Sequence, residues 1–104
     1  MRIRFKDLPK YDESLDLIGQ GVATSVTDSN LQVAQDWMTY SGPFTDDEKW
    51  LIVDPQTSGG LLISLPAEQA PSLVARLRER GNPIAAVIGE VVPADGRPGL
   101  EFLK

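Results

Sequence analysis

Residues 54–60 read Asp-Pro-Gln-Thr-Ser-Gly-Gly, a dense turn-forming segment that runs without a break into five residues rich in β-forming apolar side chains. Pro66 ends the apolar run, and an amphipathic segment then extends to Arg80. Gly81 follows it, in the position that glycine often takes after a helix. The order of these segments predicts a loop, a buried strand over residues 61–65 and a helix that ends at Arg80.

Periodicity predicts further elements on both sides of this unit. Residues 1–6 alternate between apolar and basic side chains, which is typical of a half-buried strand, and residues 85–92 and 100–102 have the composition of strands. The dipeptide Asp95-Gly96 is a hairpin signal between the last two. Helical spacing predicts helices over residues 11–20 and 29–38, whereas residues 50–53 fit either a strand or a helical turn. The chain is therefore predicted to be a single α+β domain, residues 1–104, with a mixed β-sheet covered by helices.

Composition excludes several kinds of chemistry. The 104 residues include no Cys and no His, which rules out disulfides, thiol nucleophiles, Ser-His-Asp triads and zinc sites built on these side chains. The formal net charge of −5 argues against a nucleic acid or an anionic membrane as the partner. The longest apolar runs are too short to span a bilayer, so we expect a cytoplasmic protein.

The loop at residues 54–60 is the strongest candidate site. The hydroxyls of Thr57 and Ser58, with the unobstructed backbone N–H groups of Gly59 and Gly60, would suit the oxygens of a phosphate group. The segment is not a Walker A loop, because it lacks Gly-Lys-Ser/Thr and precedes a predicted strand. A plain turn, in which the glycines only satisfy local geometry, explains the same residues, and spacing alone favours it.

Three weaker candidates also have simple structural explanations. The run Asp46-Asp47-Glu48 offers carboxylates to a hard cation such as Mg²⁺, but adjacent acids in a surface loop are usually just solvated. Three arginines at alternate positions of one predicted helix diverge from each other, so a solvated face is favoured over a phosphate site; they are Arg76, Arg78 and Arg80. Asn30 could reach a ligand, although helix capping by its neighbours accounts for that cluster.

Residues 51–63, Leu-Ile-Val-Asp-Pro-Gln-Thr-Ser-Gly-Gly-Leu-Leu-Ile, strongly resemble the C-terminal domain of the selenophosphate synthetases (selenide, water dikinases). The resemblance continues through the helix start at 66–68, the Arg80-Gly81 pair and residues 86–91, and it covers nearly the whole chain. It implies the fold of the C-terminal domain of the aminoimidazole-ribonucleotide-synthetase-like superfamily. The Asp-Pro-Gln-Thr-Ser-Gly-Gly block is its specific part.

The resemblance also implies a function for the longer enzyme, which makes selenophosphate from selenide, ATP and water with Mg²⁺. In that family the reactive Cys or selenocysteine and the metal-binding aspartates lie in or next to the N-terminal half. We therefore expect this chain to be inactive alone, to hold no catalytic residue, metal or bound cofactor, and to dock on that N-terminal domain. The resemblance places Asp54, Thr57, Ser58, Gly59 and Gly60 at the domain interface where ATP phosphates are handled. The alternatives are a stand-alone phosphate- or nucleotide-binding module and a structural interaction domain.

Overall fold

A four-stranded mixed sheet organises the molecule in the computed structural model, which describes residues 1–94, 96 and 99–104. Its strands are β1 (Arg2–Arg4), β2 (Met38–Ser41), β3 (Gly89–Glu90) and β4 (Leu100–Leu103), in the order β2-β4-β1-β3. Strand β4 runs parallel to both β1 and β2, whereas β3 runs antiparallel to β1. The predicted α+β class with a mixed sheet is confirmed.

The alternation of side chains along the strands gives the sheet one apolar face and one polar face. Ile3, Met38 and Phe102 form a buried cluster on the apolar face. On the opposite face Arg2 lies level with Glu101, and its Nε donates to Glu101 Oε2 over 2.8 Å. Hydrogen bonds with Arg2 and Ser41 lower the pKa of Glu101. The predicted half-buried strand at the N-terminus is confirmed over Arg2–Arg4, after which Phe5–Asp7 form a 3₁₀ turn.

Four helices are present in the part of the chain that the structure describes: α1 (Ser14–Gly19), α2 (Thr27–Ala34), α3 (Asp46–Val53) and α4 (Ala70–Glu79). Helices α1 and α2 pack against α3, and Ala34, Ile52 and Val53 reach the buried cluster on the sheet. The helices predicted over residues 11–20 and 29–38 are confirmed in kind but are shorter. Met38 lies in β2 rather than at the end of α2, because its backbone pairs with Leu100 of β4.

The acidic run Asp46-Asp47-Glu48 is not the surface loop that we predicted. It forms the first turn of α3, where carboxylates are favoured by the helix dipole. Thr45 caps the helix, since its Oγ1 accepts from the Glu48 N–H and its own N–H donates to Glu48 Oε2 over 2.9 Å. Residues 50–53, left open between strand and helix, complete α3.

Two predicted strands are wrong or much shorter in the structure. Residues 61–65 form no strand, and among the described residues no backbone–backbone hydrogen bond involves residues 55–65. Leu61 is 90% exposed. The composition of this segment is typical of a strand, but no strand of the described sheet pairs with it. The strand predicted over residues 85–92 is reduced to Gly89–Glu90.

The predicted hairpin falls partly on Asp95, which lies outside the described residues. A hairpin would place β3 next to β4, but β1 lies between them, and β4 instead makes parallel pairs. Gly89 in β3 lies close to the backbone of β1. A Cβ at this position would lie 2.1 Å from the backbone oxygen of Arg2, so only glycine allows β3 to reach β1.

Helix α4 confirms the helix that the sequence predicted between Pro66 and Arg80. Pro71 lies in its first turn, where a missing N–H costs nothing, and Gly81 follows it with a φ of +91°. No residue of α4 is fully buried. Across the described residues, we find no helix with the length and apolar character needed to cross a membrane.

A glycine loop at the end of helix α3

Helix α2 fixes the start of the loop at residues 54–60. Asn30 Nδ2 donates to the carbonyl oxygen of Val53 over 3.0 Å, which satisfies one of the carbonyls left free at the C-terminus of α3. Thr27 Oγ1 lies 2.9 Å from Thr24 Oγ1 and makes a long bond of 3.5 Å to Asp54 Oδ1. Thr27 is only 2% exposed. These contacts therefore fix the position at which the loop begins.

Beyond this anchor the loop is open to solvent. All five residues from Gln56 to Gly60 are exposed, and in the described part of the chain the hydroxyls of Thr57 and Ser58 make no hydrogen bond. The structure thus places the candidate residues together on an accessible surface, with Asp54 half-buried at the base. Their contact with a ligand stays a prediction.

Local geometry does not explain why residues 59 and 60 are glycine. Neither residue has a positive φ, so neither backbone conformation requires glycine. A Cβ at Gly59 would make an ordinary contact of 3.5 Å with Gln56 Oε1, and a Cβ at Gly60 would meet nothing within 4 Å. The backbone conformation of this turn therefore does not require glycine at either position, and the choice between a plain turn and a binding loop stays open. The missing side chains leave space for an atom from outside the chain.

Four of the other candidate side chains, those of Asp46, Glu48, Arg78 and Asn30, make contacts elsewhere in the fold. Lys49 Nζ donates to Asp46 Oδ1 over 2.8 Å, and this bond lowers the pKa of Asp46. Arg78 Nε donates to the Ala85 carbonyl over 3.0 Å. Asn30 holds the end of α3 rather than pointing to a ligand. Within the described residues no three acidic side chains gather into a group that could hold a metal ion.

The side chains of Glu48 and Lys104 form an ion pair. Burial opposes the charged form of Glu48, but hydrogen bonds from Lys104 and from the Thr45 N–H outweigh it and lower its pKa below 4.5. Lys104 Nζ also lies 5.1 Å from the ring centroid of Phe44 and 5.7 Å from that of Phe5. This pair ties the end of β4 to the start of α3.

Sequence analysis did not single out Thr27 as a residue that positions the site. Thr27 positions the site because it is buried where the loop begins. The sequence does not indicate this burial, since Thr27 lies among other polar residues. The residues of the loop itself were recognised from the Asp-Pro-Gln-Thr-Ser-Gly-Gly block, but the contact that holds Asp54 was not predicted.

Three curated proteins that are similar to this chain share the description "Selenide, water dikinase". The chain is 36% identical to the protein of Pelobacter propionicus over 92 residues, 88% of this chain and 26% of that protein. It is 35% identical to the Porphyromonas gingivalis protein over 96 residues, 91% and 27% of the two chains, and 32% identical to that of Clostridium botulinum over 93 residues, 89% and 27%. No family model matches the sequence.

The chain spans about a quarter of the length of the curated relatives it matches. The matches extend over about nine-tenths of this chain, so the chain is similar to one part of each of these longer proteins. It is related to the selenide, water dikinases, the selenophosphate synthetases, and corresponds to a C-terminal portion of them.

Proposed function

We propose that residues 1–104 act as the C-terminal domain of a selenophosphate synthetase, an enzyme that joins a phosphoryl group from ATP to selenide. The observation that supports this most strongly is the match to several selenide, water dikinases over about nine-tenths of the chain. A kinase reaction needs phosphate groups to be held close to backbone donors. Gly59 and Gly60, around which a side chain would meet no close obstacle, are suited to that task.

We assign the loop at residues 54–60 to the surface that meets ATP phosphates and the rest of the enzyme. Thr57 and Ser58 would donate hydroxyl hydrogen bonds to phosphate oxygens, and Gly59 and Gly60 would let the backbone N–H groups come close. The nucleophile, the reacting ATP and the Mg²⁺ would be held by the part of the relatives that has no counterpart in this chain. The residues described here supply no metal cage of their own, so no catalytic step is assigned to them.

A chimaera tests this proposal. Residues 1–104 would replace the matching C-terminal quarter of the Pelobacter propionicus enzyme, and selenophosphate and AMP formation would be measured. We expect activity to be retained. The double change Thr57→Ala with Ser58→Ala should lower activity about tenfold or more, as for the loss of hydrogen bonds to a charged group. Ser72→Ala, which removes another exposed hydroxyl on α4, is the matched control and should change little.

The proposal is wrong if the 104-residue chain alone forms AMP or selenophosphate, or if the folded chimaera is inactive. The alternative of a stand-alone phosphate-binding module rests on the open glycine loop. Calorimetry with ATP, AMP and inorganic phosphate separates the two, because only the stand-alone module binds these ligands without the rest of the enzyme. A cytoplasmic location stays a prediction that cell fractionation would test.

A further inference from the structure

Helix α3 ends differently from α1 and α4, and its end is where the glycine loop begins. Gly21 and Gly81 follow α1 and α4 with a positive φ, and the residues after each helix donate backbone N–H groups to its last carbonyls. Helix α3 is followed instead by Asp54, in an extended conformation, and Pro55. Pro55 has no N–H group to donate and disfavours a helical conformation at Asp54. Within the described part of the chain, no backbone N–H group after α3 bonds to its last turn.

The side chain of Asn30 supplies the missing donor from a different helix. Its Nδ2 donates to the Val53 carbonyl over 3.0 Å, an ordinary length for an amide hydrogen bond. Asn30 is half-buried and lies three residues after Thr27, so the two side chains share one face of α2. Both reach the end of α3, since Thr27 Oγ1 lies 3.5 Å from Asp54 Oδ1. Contacts from α2 therefore set the direction in which the chain leaves α3.

Little else in the described structure holds the loop. Among the described residues, no backbone–backbone hydrogen bond involves residues 55–65. The residues from Gln56 to Gly60 are exposed. The place of residues 57–60 therefore depends on the contacts at the start of the loop, and the Asn30 bond is the shorter of the two that α2 makes there.

The direction of the loop bears on the rate of a phosphoryl transfer. A displacement of about 1 Å in a positioned group can cost about a hundredfold in rate. Donors that already stand in place stabilise the transition state without having to reorganise. Asn30 itself is bonded inward to Val53, so its effect on a ligand at the loop would be indirect.

We propose that Asn30 is a positioning residue for the glycine loop. Its amide holds the Val53 carbonyl and thereby aims the hydroxyl and N–H donors of residues 57–60 at the phosphate groups of ATP. This inference rests on the proposed function, because it requires a phosphate group at the loop. The rest of the enzyme would hold most of the ATP molecule, so loss of the Asn30 amide lowers kcat and leaves the KM for ATP nearly unchanged.

The chimaera with the Pelobacter propionicus enzyme tests this inference through initial rates of AMP formation. Asn30→Leu removes the donor at similar size, and Asn30→Asp replaces it with an oxygen that repels the Val53 carbonyl. Both changes should lower kcat about tenfold to a hundredfold and keep the KM for ATP within about threefold.

Two control variants lie on the same helix. Ser29→Ala removes a side-chain hydrogen bond of 2.9 Å to the Val26 carbonyl, which lies within the α2 region. Gln32→Glu adds the same charge as Asn30→Asp at an exposed position. Neither control should change kcat or the KM for ATP, because neither side chain contacts the end of α3 in the described structure.

A double-mutant cycle shows whether Asn30 acts through the loop. In the chimaera that already carries Thr57→Ala and Ser58→Ala, Asn30→Leu should lower kcat by a clearly smaller factor, because two of the donors that it positions are gone. Equal factors in the two backgrounds would overturn the inference, and so would a raised KM for ATP at unchanged kcat. Loss of the far-ultraviolet circular dichroism signal in both Asn30 variants would also overturn it, since Asn30 would then serve the fold as a whole.

The same measurements separate this inference from the proposed function. An active chimaera in which both Asn30 variants retain full kcat would overturn the positioning role and leave the proposed function standing. A folded but inactive unmodified chimaera would overturn the proposed function, and the positioning role with it.

Discussion

Two regions of this chain differ sharply in how well they bury their own residues. The packed region, residues 1–54 and 99–104, contains every residue that is buried in the described structure; these are Ile3, Phe5, Ile18, Thr27, Met38, Glu48 and Phe102. The open region, residues 55–94 and 96, contains none, and half of the large exposed apolar side chains lie in it. Among its described residues, Ile88 is the one apolar side chain that packs against the buried cluster on the sheet.

The difference shows which part of the chain packs against itself and which part leaves apolar side chains and backbone groups uncovered. The packed region contains three strands of the sheet, three helices and the Glu48–Lys104 pair, and β3 of the open region adds the fourth strand next to β1. In the open region, helix α4 has a half-buried apolar face and residues 61–65 have no paired backbone. Surfaces of this kind are typical of a domain that works inside a larger assembly. This agrees with relatives about four times as long.

The largest expected effect compares one apolar residue from each region. Phe102 is 4% exposed in the buried cluster, and Phe102→Ala should lower the free energy of unfolding by about 3–5 kcal/mol through lost burial and a cavity. Leu61→Ala, at a side chain that is 90% exposed, should change it by less than about 0.5 kcal/mol. Urea denaturation of both variants measures the difference. Comparable losses would mean that residues 61–65 are buried in the free protein and that the two regions do not differ.

Gly89 tests the junction between the regions. Gly89→Ala would place a methyl group against the Arg2 carbonyl and force β3 away from β1, at a cost of about 1–3 kcal/mol. Amide hydrogen exchange should show the loss at Arg4, whose N–H donates to Ile88 over 2.8 Å. Ala86→Gly, on the same segment but exposed, is the control for altered backbone freedom. If protection at Arg4 is unchanged in Gly89→Ala, the open region is not attached to the sheet through β3.

Local patterns predicted elements in both regions, but the strand predicted over residues 61–65, in the open region, does not form. Alternation identified β1 and β4, and Gly81 marked the end of α4, because each depends on residues next to one another in sequence. The error at residues 46–48 came from treating adjacent acids as solvated, when Thr45 and Glu48 form a capping box that the sequence itself carries. Residues 61–65 could not be assigned correctly, since strand formation depends on a neighbour and not on composition alone. The exposure of the glycine loop likewise depended on tertiary structure, although its residues were recognised.

The Glu48–Lys104 pair gives the packed region a pH dependence that the open region should lack. The pKa of Glu48 is lowered in the folded protein, so its contribution is fully present above its unfolded value of 4.5 and is lost as the pH falls through the folded value. Glu48→Gln should lower the free energy of unfolding by about 1 kcal/mol near pH 7. The difference from the unmodified protein should shrink as the pH is lowered further below 4.5. Asp36→Asn removes an exposed carboxylate as the control. A difference that is independent of pH would show that the pair is not formed in solution.

We expect the smallest effect on stability at the glycine loop. A substitution there also distinguishes a structural role of the glycine from a functional one. Gly60→Ala meets no atom within 4 Å and needs no unusual backbone angle, so stability should stay the same or rise by up to about 0.5 kcal/mol through a less flexible unfolded chain. In the chimaera with the Pelobacter propionicus enzyme, the same methyl group would stand where phosphate or the rest of the enzyme approaches, and activity should fall. A variant that is stable in urea denaturation yet impaired in selenophosphate formation would mean that the glycine serves a molecule outside this chain. Full activity would mean that nothing approaches the loop closely, and it would remove the reason for assigning residues 54–60 to the site.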